Sequence, residues 1–185
     1  MNREQLAHVV RAAATVVGVD DVIVLGSQAI LATVDDVELP YEVTRSIEAD
    51  IAVDHEISRI SLGVDRADLA LLIEGALGEG SMFHATYGYY AEGVEIEVAV
   101  LAEGWRERLV PLISESVAGA KVGWCLSASD VWISKAAAGR TKDAEYCRAL
   151  AAASLVDRAD LERLARAIGM PHRASIDRVM ARSFS

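Results

Sequence analysis

Apolar and polar positions recur along this chain with two periods, and each change of period marks an element. Residues 3–17 place Leu6, Val9, Val10, Ala13, Val16 and Val17 on one helical stripe, with Arg3, Glu4 and Arg11 off it. Gly18 stops this helix. Val22-Ile23-Val24-Leu25 is a β-branched run of the kind found in buried strands. It ends at Gly26-Ser27, after which Gln28-Ala29-Ile30-Leu31-Ala32 predicts a helix. Residues 33–44 form an acidic loop with Asp35, Asp36, Glu38, Pro40 and Glu42. A turn at Arg45-Ser46-Ile47 then runs into a short strand, Glu48-Ala49-Asp50-Ile51-Ala52-Val53. Residues 64–77 predict a helix with Leu69, Leu72, Ile73 and Leu77 on one side, and Gly78-Glu79-Gly80-Ser81 predicts a turn. His84 to Tyr90 predicts a strand or a hairpin arm, and its tyrosines at 87, 89 and 90 are packing residues or a stacking surface for a base. Val94-Glu95-Ile96-Glu97-Val98-Ala99-Val100 alternates most cleanly of all and predicts a strand. Strand-like segments follow over residues 110–126. The remainder is helical, over 131–138, from Thr141 to about Ser154, over 157–168 and over 175–181.

Strand alternation puts Glu48, Asp50 and Ala52 on one face and Ala49, Ile51 and Val53 on the other. Two carboxylates on one face of a half-buried strand repel each other, and a divalent cation is the usual remedy. Their oxygens suit a hard ion such as Mg²⁺. Taken alone, the stretch reads more simply as an edge strand with a solvated acidic face. Three other features change that balance. If the strand over 94–100 lies beside it, Glu97 completes a three-carboxylate cluster. The Gly26-Ser27 turn brings backbone N–H groups and a hydroxyl to a strand-to-helix junction, where an anion can dock. Arg140 and Lys142 stand at the start of a helix, where the dipole disfavours cations, and a bound triphosphate would offset that. Lys135 sits among small and apolar helix positions, where its ordinary explanation is a side chain reaching for solvent. His55 and Glu56 follow the carboxylate strand, the histidine being either a ligand or a solvated loop side chain.

Composition narrows the class. With 185 residues, 52% of them hydrophobic, the chain can bury a sizeable core. Cys125 and Cys147 have no metal-site spacing and make no disulfide framework, so a reduced, cytoplasmic protein is expected. No run is long and apolar enough to span a membrane, and the first residues lack a signal-peptide pattern. The net charge of −10 argues against non-specific nucleic-acid binding by the whole surface. Its distribution is uneven. Residues 1–103 hold 5 Lys/Arg against 19 Asp/Glu, and residues 104–185 hold 13 against 9. A cation-binding front half beside a phosphate-handling back half fits this asymmetry about as well as chance placement of solubilising charge does.

Gly26-Ser27 after a strand, Glu48-Ala49-Asp50 on the next strand with Ser46 two residues ahead, and Glu97 on a later strand resemble the nucleotidyltransferase superfamily with the DNA polymerase β-type core. Lys135-Ala136-Ala137-Ala138-Gly139-Arg140-Thr141-Lys142-Asp143 is similar to the basic and lysine-aspartate elements of the AbiEii/MenT-type toxin nucleotidyltransferases and their small relatives. Gly104-Trp105-Arg106-Glu107-Arg108-Leu109 also resembles a segment of those relatives. The resemblance covers roughly residues 20–150. It departs at two positions, because glutamate stands at 48 and 97 where the pattern has aspartate.

The resemblance implies transfer of a nucleoside monophosphate from an NTP, with release of pyrophosphate. It implies Mg²⁺, with Mn²⁺ as the alternative ion, held by Glu48, Asp50 and Glu97. It implies that Gly26, Ser27, Ser46, Lys135, Arg140 and Lys142 contact the nucleotide, and that Lys135 and Asp143 join the carboxylates in catalysis. A tRNA 3′ end, a protein hydroxyl and a small molecule are the alternative acceptors, and an antitoxin protein is the implied partner. The expected fold is α/β (α+β), a short mixed sheet flanked by helices. Residues 1–126 would form the nucleotidyltransferase core, and residues 127–185 a helical region completing the cleft. The alternative is a catalytically inactive binding or interaction module on the same fold, which the two glutamates motivate.

Overall fold

The β-branched run after the first helix becomes the middle of a five-stranded sheet. In the computed structural model, which describes residues 1–34, 39–60, 64–117 and 119–184, β1 (Asp21–Val24) is the central strand. β2 (Glu48–Ala52) lies antiparallel on one side of it and β5 (Lys121–Cys125) parallel on the other. β3 (Tyr90–Gly93) runs parallel to β2 at one edge, and β4 (Val110–Ser114) antiparallel to β5 at the other, giving the order β3-β2-β1-β5-β4. The fold is the mixed α/β sheet with flanking helices expected from the sequence.

One face of the sheet is closed by α1 (Arg3–Val17) and α3 (Arg66–Leu77). α1 forms because Asn2 caps it, with Gln5 returning the hydrogen bond to Asn2, and it ends where Gly18 takes a left-handed conformation. Its stripe of Leu6, Val9, Val10, Ala13 and Ala14 is buried, and full burial of each larger side chain contributes about 1.5–3 kcal/mol. The helices press close to the strands. A Cβ on Gly123 would meet Val10 Cγ2 at 2.6 Å, and one on Gly93 would meet the Ala70 carbonyl oxygen at 1.9 Å. Ala49, Ile51, Ala91 and Gly93 therefore face the helices, and strand alternation turns Glu48, Asp50, Tyr90 and Glu92 to the opposite face.

Four helices follow the sheet: α5 (Ala128–Ala138), α6 (Thr141–Ala152), α7 (Arg158–Ala165) and α8 (His172–Ser183). They pack around Trp132, which is fully buried and donates its indole N–H to the Cys147 carbonyl at 3.1 Å. The buried carboxylate of Asp130 in the first turn of α5 takes two hydrogen bonds from Arg108, at 2.7 and 2.9 Å. Short elements complete the chain: α2 (Tyr41–Thr44), α4 (Met82–Tyr87), and 3-10 turns at Ser27–Ala32, Ile96–Val98 and Trp105–Arg108.

Four expectations are corrected. The strand over 94–100 is absent. Among the described residues its one ladder bond is from Val94 N to the Ile51 carbonyl, because β2 ends at Ala52 and no other described strand lies beside that edge. The chain instead turns at Ile96–Val98, burying Ile96. His84 to Tyr90 is split between the end of α4 and the start of β3, since Ser81 caps α4 through a bond from His84 N and Gly88 closes it in a left-handed conformation. The helix expected over 28–32 is a 3-10 turn. Leu72, expected on the buried side of its helix, is exposed. Asp35, Asp36 and Glu38 of the acidic loop lie outside the described residues.

Candidate active site

A cavity of about 770 Å³ opens between the sheet face opposite α1 and the helices α5 and α6. It is lined by Gly26, Ser27, Ser46, Glu48, Asp50, Lys135, Arg140, Lys142 and Asp143, which the chain brings together from segments more than a hundred residues apart. Glu97 is not among them. Its carboxylate is largely exposed and pairs with Arg66 at 2.7 Å. The third carboxylate at the cavity is Glu92, which also lines it. The β2–β3 register sets Asp50 opposite Glu92 and Glu48 opposite Tyr90, all on one face. One oxygen from each of Glu48, Asp50 and Glu92 lies within 4.8 Å of the others.

Such crowding has an electrostatic consequence. Burial, with the negative charge of Glu48 beside it, pushes the Asp50 carboxyl up to about 6. The hydrogen bond it shares with Glu48, then burial, pushes Glu92 up to about 7. Burial also acts to raise Glu48, but hydrogen bonds from Glu92, Tyr90 and Asp50 outweigh it and hold this carboxylate below its ordinary value. Glu48 is thus the most acidic of the three, flanked by two carboxyls whose proton affinity is raised.

The turn beside them is shaped by one glycine. Gly26 has φ 60°, and a Cβ there would stand 1.6 Å from Asp50 Oδ2. The turn therefore lies directly against the carboxylate, with Leu25 N bonded to the Asp50 carbonyl at 2.9 Å. Ser46 acts locally, its hydroxyl accepting from Glu48 N at 3.2 Å where β2 begins. Because Ser27–Ala32 is a short 3-10 turn, a helix dipole lends the site little.

The opposite wall is basic. Asp143, fully buried in the first turn of α6, pairs with Arg140 Nε at 2.6 Å and with Lys135 Nζ at 3.4 Å. Its charge supports Arg140 at the start of α6, where the dipole would otherwise repel a cation, and Lys135 in the last turn of α5. Lys135 also stands 5.0 Å from the centre of the Tyr146 ring, and the Tyr146 hydroxyl donates to the Ser27 carbonyl at 2.8 Å. That bond ties the basic wall to the turn across the cavity. Lys142 lines the same wall, and its charge reaches both Glu48 and Asp50.

Sequence reasoning missed Glu92, Tyr90 and Tyr146. The parity of Tyr90 and Glu92, two residues apart as Glu48 and Asp50 are, was the signal available for the first two. Tyr87 and Tyr89 instead cluster with His8 and Phe83. His55 is not part of the carboxylate group. In the Gly104–Leu109 stretch, Arg106 braces the buried Asp54 just past β2 at 2.8 Å and Arg108 braces Asp130, so it buttresses the cavity's two sides. Among the described residues no helix is long and apolar enough to cross a membrane.

Comparison with curated proteins and with solved structures gives no match. A family model does match, over residues 4–181, and on that match the chain belongs to the family described as nucleotidyltransferase of unknown function (DUF6036).

Proposed function

We propose that this chain is a divalent-cation-dependent enzyme that moves a nucleoside monophosphate from an NTP to an acceptor hydroxyl. The observation that carries this reading is the pairing of three carboxylates within 4.8 Å of one another with a basic wall across one cavity. The residues fit Mg²⁺ or Mn²⁺. The donors are hard carboxylate oxygens from three side chains on one sheet face, and the absence of a side chain at Gly26 leaves room for the Asp50 carboxylate beside the turn. Glu48, Asp50 and Glu92 would hold the ion, which when bound neutralises triphosphate charge and polarises the reacting phosphorus.

Within that frame each residue has a task. The backbone N–H groups of the Gly26-Ser27 turn bind phosphate oxygens. The acceptor oxygen attacks the α-phosphorus, and the bond from that phosphorus to the bridging oxygen breaks, releasing pyrophosphate. Glu92, on the same sheet face as Glu48 and Asp50, is placed to take the proton of the attacking hydroxyl. Lys135 and Arg140 neutralise charge growing on the leaving pyrophosphate, Lys142 assists them, and Asp143 orients both. A volume of about 770 Å³ is within the range of small-molecule sites.

The similarity of the 135–143 segment to toxin enzymes supports a toxin role with an antitoxin protein as partner. The positive balance of residues 104–185 supports a tRNA 3′ end as acceptor, ahead of a protein hydroxyl or a small molecule. The test is incubation with Mg²⁺ or Mn²⁺ and each α-labelled NTP, with total tRNA and without it. Label on tRNA or on the protein is expected, and Asp50→Asn should abolish it while the thermal transition persists. A folded protein that transfers no label and shows no cation-dependent NTP binding by calorimetry would be the non-catalytic module instead.

A further inference from the structure

We propose that Tyr90 is a positioning residue for the carboxylate group, its hydroxyl holding Glu48 so that the chain's affinity for a divalent cation depends on it. This rests on the cation-binding reading above. The parallel register places Tyr90 directly opposite Glu48, and the Tyr90 hydroxyl donates to Glu48 Oε2 at 2.9 Å. The Glu48 carboxylate thereby has a fixed partner on the neighbouring strand.

Glutamate has one more rotatable bond than aspartate, so an unsupported Glu48 would sample many positions of its carboxylate. Tyr90 is itself held. Its ring packs at 4.8 Å against His84, whose Nδ1 accepts from Gly80 N at 3.1 Å and whose backbone N–H is bound by Ser81. A short relay runs from the turn before α4 through two rings to the carboxylate. The relay also accounts for glutamate at this position, because an aspartate one methylene shorter would draw its carboxylate back from the hydroxyl.

The experiment is a Mn²⁺ titration of the full chain, read by the electron paramagnetic resonance of the free ion, on the wild type, Tyr90→Phe, Glu48→Asp and the double variant. Tyr90→Phe should bind Mn²⁺ about 10-fold more weakly, as loss of outer partners of metal ligands commonly does. Its metal-free thermal midpoint should stay within about 4 °C of wild type, which a merely structural role would not separate from binding. In the Glu48→Asp background the tyrosine change should add nothing. Wild-type affinity in Tyr90→Phe, or losses that simply multiply in the double variant, would overturn the inference and leave the proposed function standing. A wild type that binds neither Mn²⁺ nor Mg²⁺ would overturn both.

Discussion

At the scale of single residues, the tightest geometric demand falls on Gly26. Its positive φ and the 1.6 Å separation between a hypothetical Cβ and Asp50 Oδ2 leave no room for any side chain. Gly26→Ala should therefore displace Asp50, reduce Mn²⁺ affinity by at least about 10-fold and lower stability by about 1–2 kcal/mol, measured by metal titration and urea unfolding. Wild-type affinity in that variant would mean that the turn and the carboxylate are not coupled. Gly26, Asp50 and Glu48 could be read from the sequence because the features that mark them are local: a strand, a turn, and two acids two residues apart. Glu92 could not be read with the same ease. Two acidic segments competed for the third place, and Val94 to Val100 has the better alternation. What decided between them was which segment finds a free edge of β2, and that is a property of the whole sheet.

At the scale of elements, the helices were the most legible part. α1, α5 and α7 carry side-chain caps as well as buried apolar positions, and these local signals agree with tertiary packing. The short elements were harder. Around residues 82–88 the aromatic residues favour a strand, while Ser81 and Gly88 favour a capped turn of helix, and the caps prevail. Over 94–100 the apolar alternation is real but has no neighbouring strand to satisfy its backbone, so the segment turns and buries Ile96 alone. This relocates Glu97 to an exposed pair with Arg66. Glu97→Gln should consequently leave Mn²⁺ affinity unchanged and alter stability by less than about 1 kcal/mol, as exposed ion pairs do. A tenfold loss of metal affinity in that variant would return Glu97 to the site.

At the scale of the molecule, the acidic front half and the mildly basic back half meet across one cavity. The uneven charge seen in the sequence becomes two facing walls, with Glu48, Asp50 and Glu92 on the sheet and Lys135, Arg140 and Lys142 on the helices. Folding brings the three acids close, and this leaves a signature in pH. The carboxyls of Asp50 and Glu92 rise on folding, to about 6 and about 7. Between their unfolded values and these folded values the native chain holds more protons than the unfolded one, so stability falls as pH rises through this window. Asp54 acts in the opposite sense. Burial tends to raise it, but Arg106 and backbone N–H groups hold it low, so its contribution is present at neutral pH and is lost as pH falls through its folded value. Metal-free protein should thus show a thermal midpoint that declines from about pH 5 to pH 7.5. Added Mg²⁺ should raise the midpoint more at pH 7.5 than at pH 5, where protons compete for the same oxygens. Equal Mg²⁺ shifts at both values would show that the ion does not bind at this cluster.

The sheet order carries one more consequence. Among the described residues β3 is an edge strand, joined to the rest of the sheet through β2 alone, yet it supplies both Tyr90 and Glu92. An ion shared by Glu48, Asp50 and Glu92 would stitch the last strand to its neighbour. Occupancy and fraying then become a single equilibrium: the edge peels only when the ion leaves, and the ion has a complete cradle only while the edge is docked. The carbonyl of Ala70 behind Gly93 is the stop against which that edge comes to rest. A side chain at Gly93 could therefore unseat the third carboxylate while every donor atom of the site remained in the chain.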